Sequence, residues 1–333
     1  MQTEWRALIF PVTRLFSWDD PLGLPWLVAG LGFVLLSWMS SRVRRGRLRL
    51  RVGAFRRWLF PAGVLWHPSS RLDYKLFVVN SVVVTGAVSL LTVGPQFWKV
   101  LGFKVLVVLA GPAPAPLAEP SALVISFAAI LSLLALDFGY WLTHWAMHRN
   151  PLLWEFHKVH HSAEVMTPAT EWRQHPLEFL MFPTVYGLTT GLVYGALAYF
   201  FGERAQGLSL NVQNLLIVVH LATFHHVRHS HIRIPFTGAW GRILHSPAHH
   251  QLHHSADPAH FDCNLGYLLS VWDWMAGTLI LPTGRERLTL GIGAEGRLHD
   301  TVVAVYLRPL AVVWRKIRRK PRPAREPGRV SLL

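Results

Sequence analysis

Apolar and polar positions along this chain fall into long blocks, the pattern of helices that bury most of their surface in lipid or in one another. Gly23–Ser40 is an apolar run of 18 residues, about the minimum that crosses a bilayer as a helix. Lys75–Val93 is a second candidate crossing. Phe97–Ala110 is apolar but short and is interrupted by Lys99 and Lys104, so it reads as an interfacial or re-entrant segment, or as an extension of the preceding crossing. After the Pro-rich turn at 111–120, Ser121–Trp141 crosses again and continues as a helix to His148. Asn150-Pro151 breaks that helix, because proline lacks the N–H a helix interior needs, and Pro151 suits the first turn of the next one. Thr167–Pro176 reads as a loop. Leu177–Phe200 and Leu208–Phe224, apolar runs of 24 and 17 residues, form an out-and-back hairpin around the polar FGERAQG. From His225 to Pro282 the chain is polar, aromatic and rich in histidine. The expectation is an all-α integral membrane protein with about four to five transmembrane helices and a cytosolic, helical, histidine-rich cap. It divides into an N-terminal anchor and basic linker (1–70), a catalytic region (71–282) and a soluble tail with a basic end (283–333).

Composition agrees with this pattern. Among 333 residues, 51% are hydrophobic and 15% charged, and 15 are tryptophan, as in a chain that lives in a bilayer. The net charge of +15 sits in two blocks: Arg42, Arg44, Arg45, Arg47, Arg49, Arg51, Arg56 and Arg57 after the first run, and Arg315 to Arg329 at the end. In a soluble protein such blocks suggest nucleic acid. Beside membrane spans they read as positive-inside signals and contacts to anionic lipid, with no nucleic acid involved. The first block places its end of the first span in the cytoplasm. A single cysteine, Cys263, rules out an intrachain disulfide and fits an active part facing a reducing compartment. The expected location is a bacterial inner membrane, with the active site on its cytoplasmic face.

The chemistry lies in the histidines. Of 19, 17 fall between His144 and His260. His144 and His148 stand four apart; His157, His160 and His161 stand at i, i+3 and i+4, and His250, His253 and His254 repeat that spacing. Residues three and four apart share a helix face, so each set points its rings one way. His225 and His229 form another i+4 pair, and both pairs and both triplets sit at or just beyond a span end on one predicted side. Neutral imidazole suits Fe, Zn, Cu and Ni. Ten histidines are too many for one zinc with its four ligands, and match two ions with about five nitrogens each. His175 joins the candidate ligands. His67, His220, His260 and His299 read as satisfied polar groups or headgroup contacts, and His226, His231, His245 and His249 as supporting or structural. Asp137 lies two turns before His144 on the same face, where an acid inside an apolar run is costly. It is the candidate orienter of a ligating histidine, ahead of Glu155, Glu164, Asp257, Asp262 and Asp273.

The segments DFGYWLTHWAMH, LLWEFHKVHHS, WRQHPLE, RHSHIRIP, SPAHHQLHHS and NLGYLLSVWDWMAGT, in that order over Leu136–Pro282, resemble the fatty acid hydroxylase/sterol desaturase superfamily. Departures are His231, where Asn is common, and Trp145, where many members carry Arg. The resemblance implies a membrane enzyme with two iron ions that uses O2 and two electrons to hydroxylate or desaturate a lipid C–H bond. Its histidine boxes fall on His144 and His148, on His157, His160 and His161, and on His250, His253 and His254, with a further histidine on His229. No flavin, nicotinamide or haem motif is visible, so the chemistry implies an external donor of ferredoxin or cytochrome type; zinc could replace iron in a purified protein. Two rival classes remain at this stage. A metal transporter would place its site at mid-membrane in broken helices, and a zinc hydrolase would need an open ligand position and usually an HExxH motif.

Overall fold

The computed structural model describes residues 24–44, 52–83, 87, 88 and 90–318. The expectations on 1–23, on half of the first arginine block (Arg45, Arg47, Arg49, Arg51) and on the tail from 319 lie outside the described residues. The longer helices are α1 (Leu24–Arg44), α2 (Val52–Leu59), α3 (Pro68–Val83), α4 (Pro95–Ala110), α5 (Ala122–Arg149), α6 (Leu153–His161), α7 (Pro176–Phe201), α8 (Glu203–His220), α9 (Pro247–His253), α10 (Val271–Ala276) and α11 (Val302–Arg318). Among the described residues there is no strand, only isolated bridges at Leu244–Leu269 and Ser255–Leu290.

Among the described residues, three helices are long and apolar enough to cross a membrane: α5, α7 and the continuous helix Glu203–Arg228. The last is α8 extended through a π-turn, Leu221–His225, and a final turn to Arg228. In α1 the apolar core is shorter, Val28–Ser40. The expected crossing at 75–93 is not among the three. The helix there begins earlier, at Pro68, and its buried face carries Ser69, Ser70, Asp73, Asn80 and Ser81 beside Leu72 and Leu76. Those groups face protein partners: Asn80 Nδ2 donates to the Trp172 and Gln174 carbonyls at 2.8 and 3.1 Å, and Asp73 pairs with Arg173.

The segment 97–110 forms a helix laid along α7. The stripe Gly187-x3-Gly191-x3-Gly195 lets the two backbones meet; a Cβ on Gly191 would strike the Pro95 carbonyl and the Trp98 side chain. Lys99, which interrupts the apolar run, reaches Glu203 Oε2 at 2.6 Å and Gln206 at 2.9 Å. A Cβ on Gly139 would likewise strike Thr189 and Tyr186, so α5 and α7 are close-packed. α5 starts on the Ser121 side chain and stops before Pro151, and Asn150 Oδ1 then caps the chain entering α6 through Leu152 N at 2.8 Å. The polar segments gather at the ends of these helices. There 162–175 is a buried connection held by Arg173, which donates to Asp73, Ser162 and Ser69. Residues 283–318 pack back on it, with Val305 of α11 against Leu72, Leu76 and Val159.

Candidate metal centre

Four chain segments deliver histidines to one place. The end of α5 brings His144 and His148. α6 brings His157, His160 and His161, His229 follows the extended α8, α9 brings His250 and His253, and His254 caps α9. They divide into two groups whose ligand atoms lie within 4.8 Å of one another: His144, His148, His157, His161 and His253, and His160, His229, His250 and His254. The groups adjoin, with the His161 and His254 rings stacked at 4.5 Å and His253 5.2 Å from His254.

The outward nitrogens are tied down in a way that leaves the inward ones bare. His144 Nδ1 donates to the Leu265 carbonyl at 2.8 Å, His157 Nδ1 to Glu178 Oε2 at 2.7 Å, His253 Nδ1 to the Cys263 carbonyl at 2.8 Å and His148 Nδ1 to Asp262 at 3.1 Å. A carbonyl or carboxylate can only accept, so in these neutral rings the proton sits on Nδ1 and Nε2 carries a lone pair. Yet the Nε2 atoms of His144 and His157 face each other at 3.1 Å, with no hydrogen available to place between them. The Nε2 atoms of His148, His161 and His253 are buried without any partner. In the second group His229 Nδ1 lies 2.8 Å from Glu171 Oε2, and its Nε2 lies 2.7 Å from that of His250 and 3.1 Å from that of His160. Nitrogens bound to one ion at about 2.0–2.1 Å stand on the order of 3 Å apart. The donor set therefore fits a cation in each group.

Electrostatics agree. Burial pushes the pKa values of His160, His161, His250 and His254 well below 6.5, and neighbouring charged groups push them further; His253 falls to about 3. Rings that resist protonation at neutral pH keep the lone pair that a metal needs. Burial works against the Glu171 carboxylate, but Arg228 and His229 beside it hold it well below the usual range. Arg228 is itself buried, donates to Tyr140 at 2.8 Å and lies over the Tyr267 ring at 4.8 Å.

Nine of the eleven histidines expected as ligands come together, and two do not. His175 caps the N-terminus of α7: its Nδ1 accepts from Leu177 N at 3.0 Å and its Nε2 meets the Tyr306 carbonyl at 3.1 Å, which occupies both nitrogens. His225 stands outside both groups, with Nδ1 3.1 Å from the Tyr267 hydroxyl. Asp137 touches no histidine. It accepts from the backbone of Leu268 and Leu269 at 2.7 and 3.2 Å and from Trp272 Nε1 at 2.9 Å. Asp273 accepts from Leu265 N and Gly266 N at 3.0 and 2.8 Å. Between them these acids fix the segment whose carbonyls orient His144 and His253. Asp262 does meet a ligand histidine, whereas Glu155 pairs with Lys158 and Lys316, Glu164 lies 3.9 Å from His67, and Asp257 caps a short turn. Of the histidines expected to be satisfied, His220 and His299 keep buried nitrogens without partners. The sequence reading does not single out Glu171, Glu178 or Arg228. Their signal is a formal charge at the edge of an apolar run, and for Glu178 its place three residues after the helix cap.

A cavity of about 580 Å³ opens onto both groups, lined by His148, Trp154, His161, His253 and His254 on one side and Phe261, Asp262 and Gly291–Gly293 on the other.

Residues 129–278, which contain all nine clustered histidines, match the sequence model of the fatty acid hydroxylase family. Over this stretch, just under half of the chain, the sequence carries a fatty acid hydroxylase domain like that of the fatty acid hydroxylase/sterol desaturase superfamily. The chain is 30% identical to human (Homo sapiens) alkylglycerol monooxygenase over 145 residues, 44% of this chain and 29% of that one. It is 27% identical over 199 residues to the ornithine lipid hydroxylase OlsE of Rhizobium tropici, 59% of this chain and 55% of that one. Against human cholesterol 25-hydroxylase it is 30% identical over 180 residues, 50% and 57% of the two chains. The chain thus spans between about a quarter and three-fifths of the curated relatives it matches. No solved structure matches it.

Proposed function

We propose that this protein is a membrane monooxygenase that hydroxylates an unactivated C–H bond of a lipid, at a site holding two iron ions on the cytoplasmic face of the membrane. One observation carries the reading: two adjoining histidine groups whose inward nitrogens converge as bare lone pairs. His144, His148, His157, His161 and His253 would hold one ion, and His160, His229, His250 and His254 the other. Bound iron supplies the redox chemistry that lets O2 attack an alkyl C–H bond, for which protein side chains have no equivalent.

The chain itself positions and shields. Glu178, Glu171 and Asp262 keep Nδ1 of His157, His229 and His148 protonated, so that each Nε2 stays a donor to metal. Asp137 and Asp273 hold the 265–272 backbone, and through it the Leu265 carbonyl under His144. The cavity beside Trp154 and Phe261 touches ligands of both groups and gives an alkyl carbon a place to lie against them. Hydroxylation is favoured over desaturation because the relatives are named alkylglycerol monooxygenase, ornithine lipid hydroxylase and cholesterol 25-hydroxylase. Insertion of one oxygen atom, with the other leaving as water, needs two electrons and two protons. We assign the electrons to an external ferredoxin or cytochrome-type donor. The arginine block at 42–57 assigns the site to the cytoplasmic side, by our reading that of a bacterial inner membrane.

The test is metal analysis of purified protein together with lipid profiling of cells that carry it or lack it. Two irons per chain, O2 uptake and a lipid heavier by one oxygen are expected, and His160→Ala should abolish the new lipid. One zinc per chain, or exchangeable metal without O2 uptake, would overturn the reading.

A further inference from the structure

α11 is amphipathic in an unusual way: it has two apolar faces. One is buried, with Val305 and Pro309 packed inward and the Tyr306 carbonyl meeting His175 Nε2. The other is open. Val303, Leu307, Leu310, Trp314 and Ile317 are 65, 59, 50, 56 and 64% exposed. At 3.6 residues per turn they fall within an arc of about 80°. Large apolar residues scattered singly on a surface need no explanation, but five in one helical stripe do.

We propose that this stripe lies in the membrane interface, so that α11 rests in the plane of an anionic bilayer surface and carries the metal-binding helix α6 on its back. Charge selects the occupant. Arg308, Arg315 and Arg318 flank the stripe, Arg318 lies 3.9 Å over the Trp314 ring, and the chain beyond adds Arg319, Lys320, Arg322, Arg325 and Arg329. No acidic residue occurs from Val302 to Arg318. An apolar stripe bordered by arginine and tryptophan is the form of a helix seated at the headgroup boundary of anionic lipid, and a water-facing helix gains nothing from it. Lys316, on the far flank, turns away to Glu155 of α6 at 2.6 Å, tying the two helices together. Packed helices lie about 8–10 Å apart, so the histidines of α6 ride roughly one helix diameter above the lipid surface.

The inference rests on the reading that the chain spans the bilayer, and the experiment separates the two. Leu307→Cys, Leu310→Cys, Arg315→Cys and, as a span control, Phe127→Cys are spin-labelled in full-length protein in nanodiscs of phosphatidylcholine with phosphatidylglycerol. The unsubstituted chain, whose single thiol is buried, is the background control. Labels at 307 and 310 should relax more with O2 than with a water-soluble nickel chelate, the label at 315 should do the reverse, and both apolar sites should move outward in phosphatidylcholine alone. Nickel access at 307 and 310 with Phe127→Cys still in lipid overturns the placement of α11 alone. Nickel access at 127 as well overturns the membrane reading. Dipolar broadening between labels on two chains means that a second copy covers the stripe, and depth indifferent to phosphatidylglycerol removes the anionic selection.

Discussion

Glu178 holds two structures at once. Its Oε1 accepts the backbone N–H of His175 at 2.9 Å, completing the cap of α7, and its Oε2 accepts the hydrogen bond from His157 Nδ1. Loss of the cap alone is worth about 1 kcal/mol, whereas loss of an orienting carboxylate behind a ligand histidine typically costs 10–100-fold in metal affinity. Glu178→Gln should therefore keep the fold and bind iron at the His157 group 10–100-fold more weakly, as read by chelator competition. Removal of metal exposes a second residue-scale effect. Buried His160, His161, His250, His253 and His254 have pKa values below 6.5 in the folded protein, so the unfolded chain takes up protons that the folded one refuses. Stability of metal-free protein should then fall as pH drops below about 6.5 and continue to fall toward pH 3, where His253 titrates. Thermal unfolding after chelation, compared at pH 5 and 7.5, checks the direction. At this scale the spacing of the histidine triplets was legible because a helix dictates it. His175 misled for an equally local reason: histidine before Pro-Leu-Glu also makes a helix cap, and that competing use of the ring took it.

Among the helices, the apolar runs gave α5, α7 and α8 directly, since length and hydropathy are what a crossing requires. An apolar count does not see that Asp73, Asn80 and Ser81 of α3 turn to one buried side, and the short run at 97–110 is silent about the helix it lies against. The glycines that seat α4 on α7 predict a sharp size limit. Gly191→Leu would drive a side chain into the Pro95 carbonyl and Trp98, and overpacking of this kind costs about 1–3 kcal/mol or more. The variant should denature at lower temperature in detergent, while Gly207→Leu, where nothing lies within 4 Å of the added Cβ, should not. The π-turn at Leu221–His225 is the other feature unreadable from periodicity. It inserts one residue per turn into a helix at the point where the chain leaves the apolar layer for His229.

Taken whole, the molecule closes around its histidine groups with parts that lie far apart in sequence and partly outside the family-matched region. Asp73 of α3 pairs with Arg173 in the buried connection between α6 and α7, Tyr306 of α11 bonds Asn80 of α3, and Lys158 of α6 pairs with Glu295 at 2.7 Å. These pairs are separated by 100, 226 and 137 positions, and no local pattern announces them. Breaking a buried ion pair from one side strands the other charge and costs about 3–5 kcal/mol. Asp73→Ala should thus destabilise the whole protein by that amount and release metal, although it touches no ligand. A melting curve and iron content measured on the same preparation would show both losses together.

The peptide oxygens beneath His144 and His253 have an evolutionary corollary. Substituting Leu265 or Cys263 exchanges a side chain but cannot delete the atom that receives the imidazole proton. Selection at these two positions then acts on the path of the main chain, enforced by Asp262 and Asn264 at φ of 56° and 53°. Distant descendants of this protein could change the side chains at 263 and 265 within the volume that the buried packing admits, while keeping the same scaffold beneath their histidines.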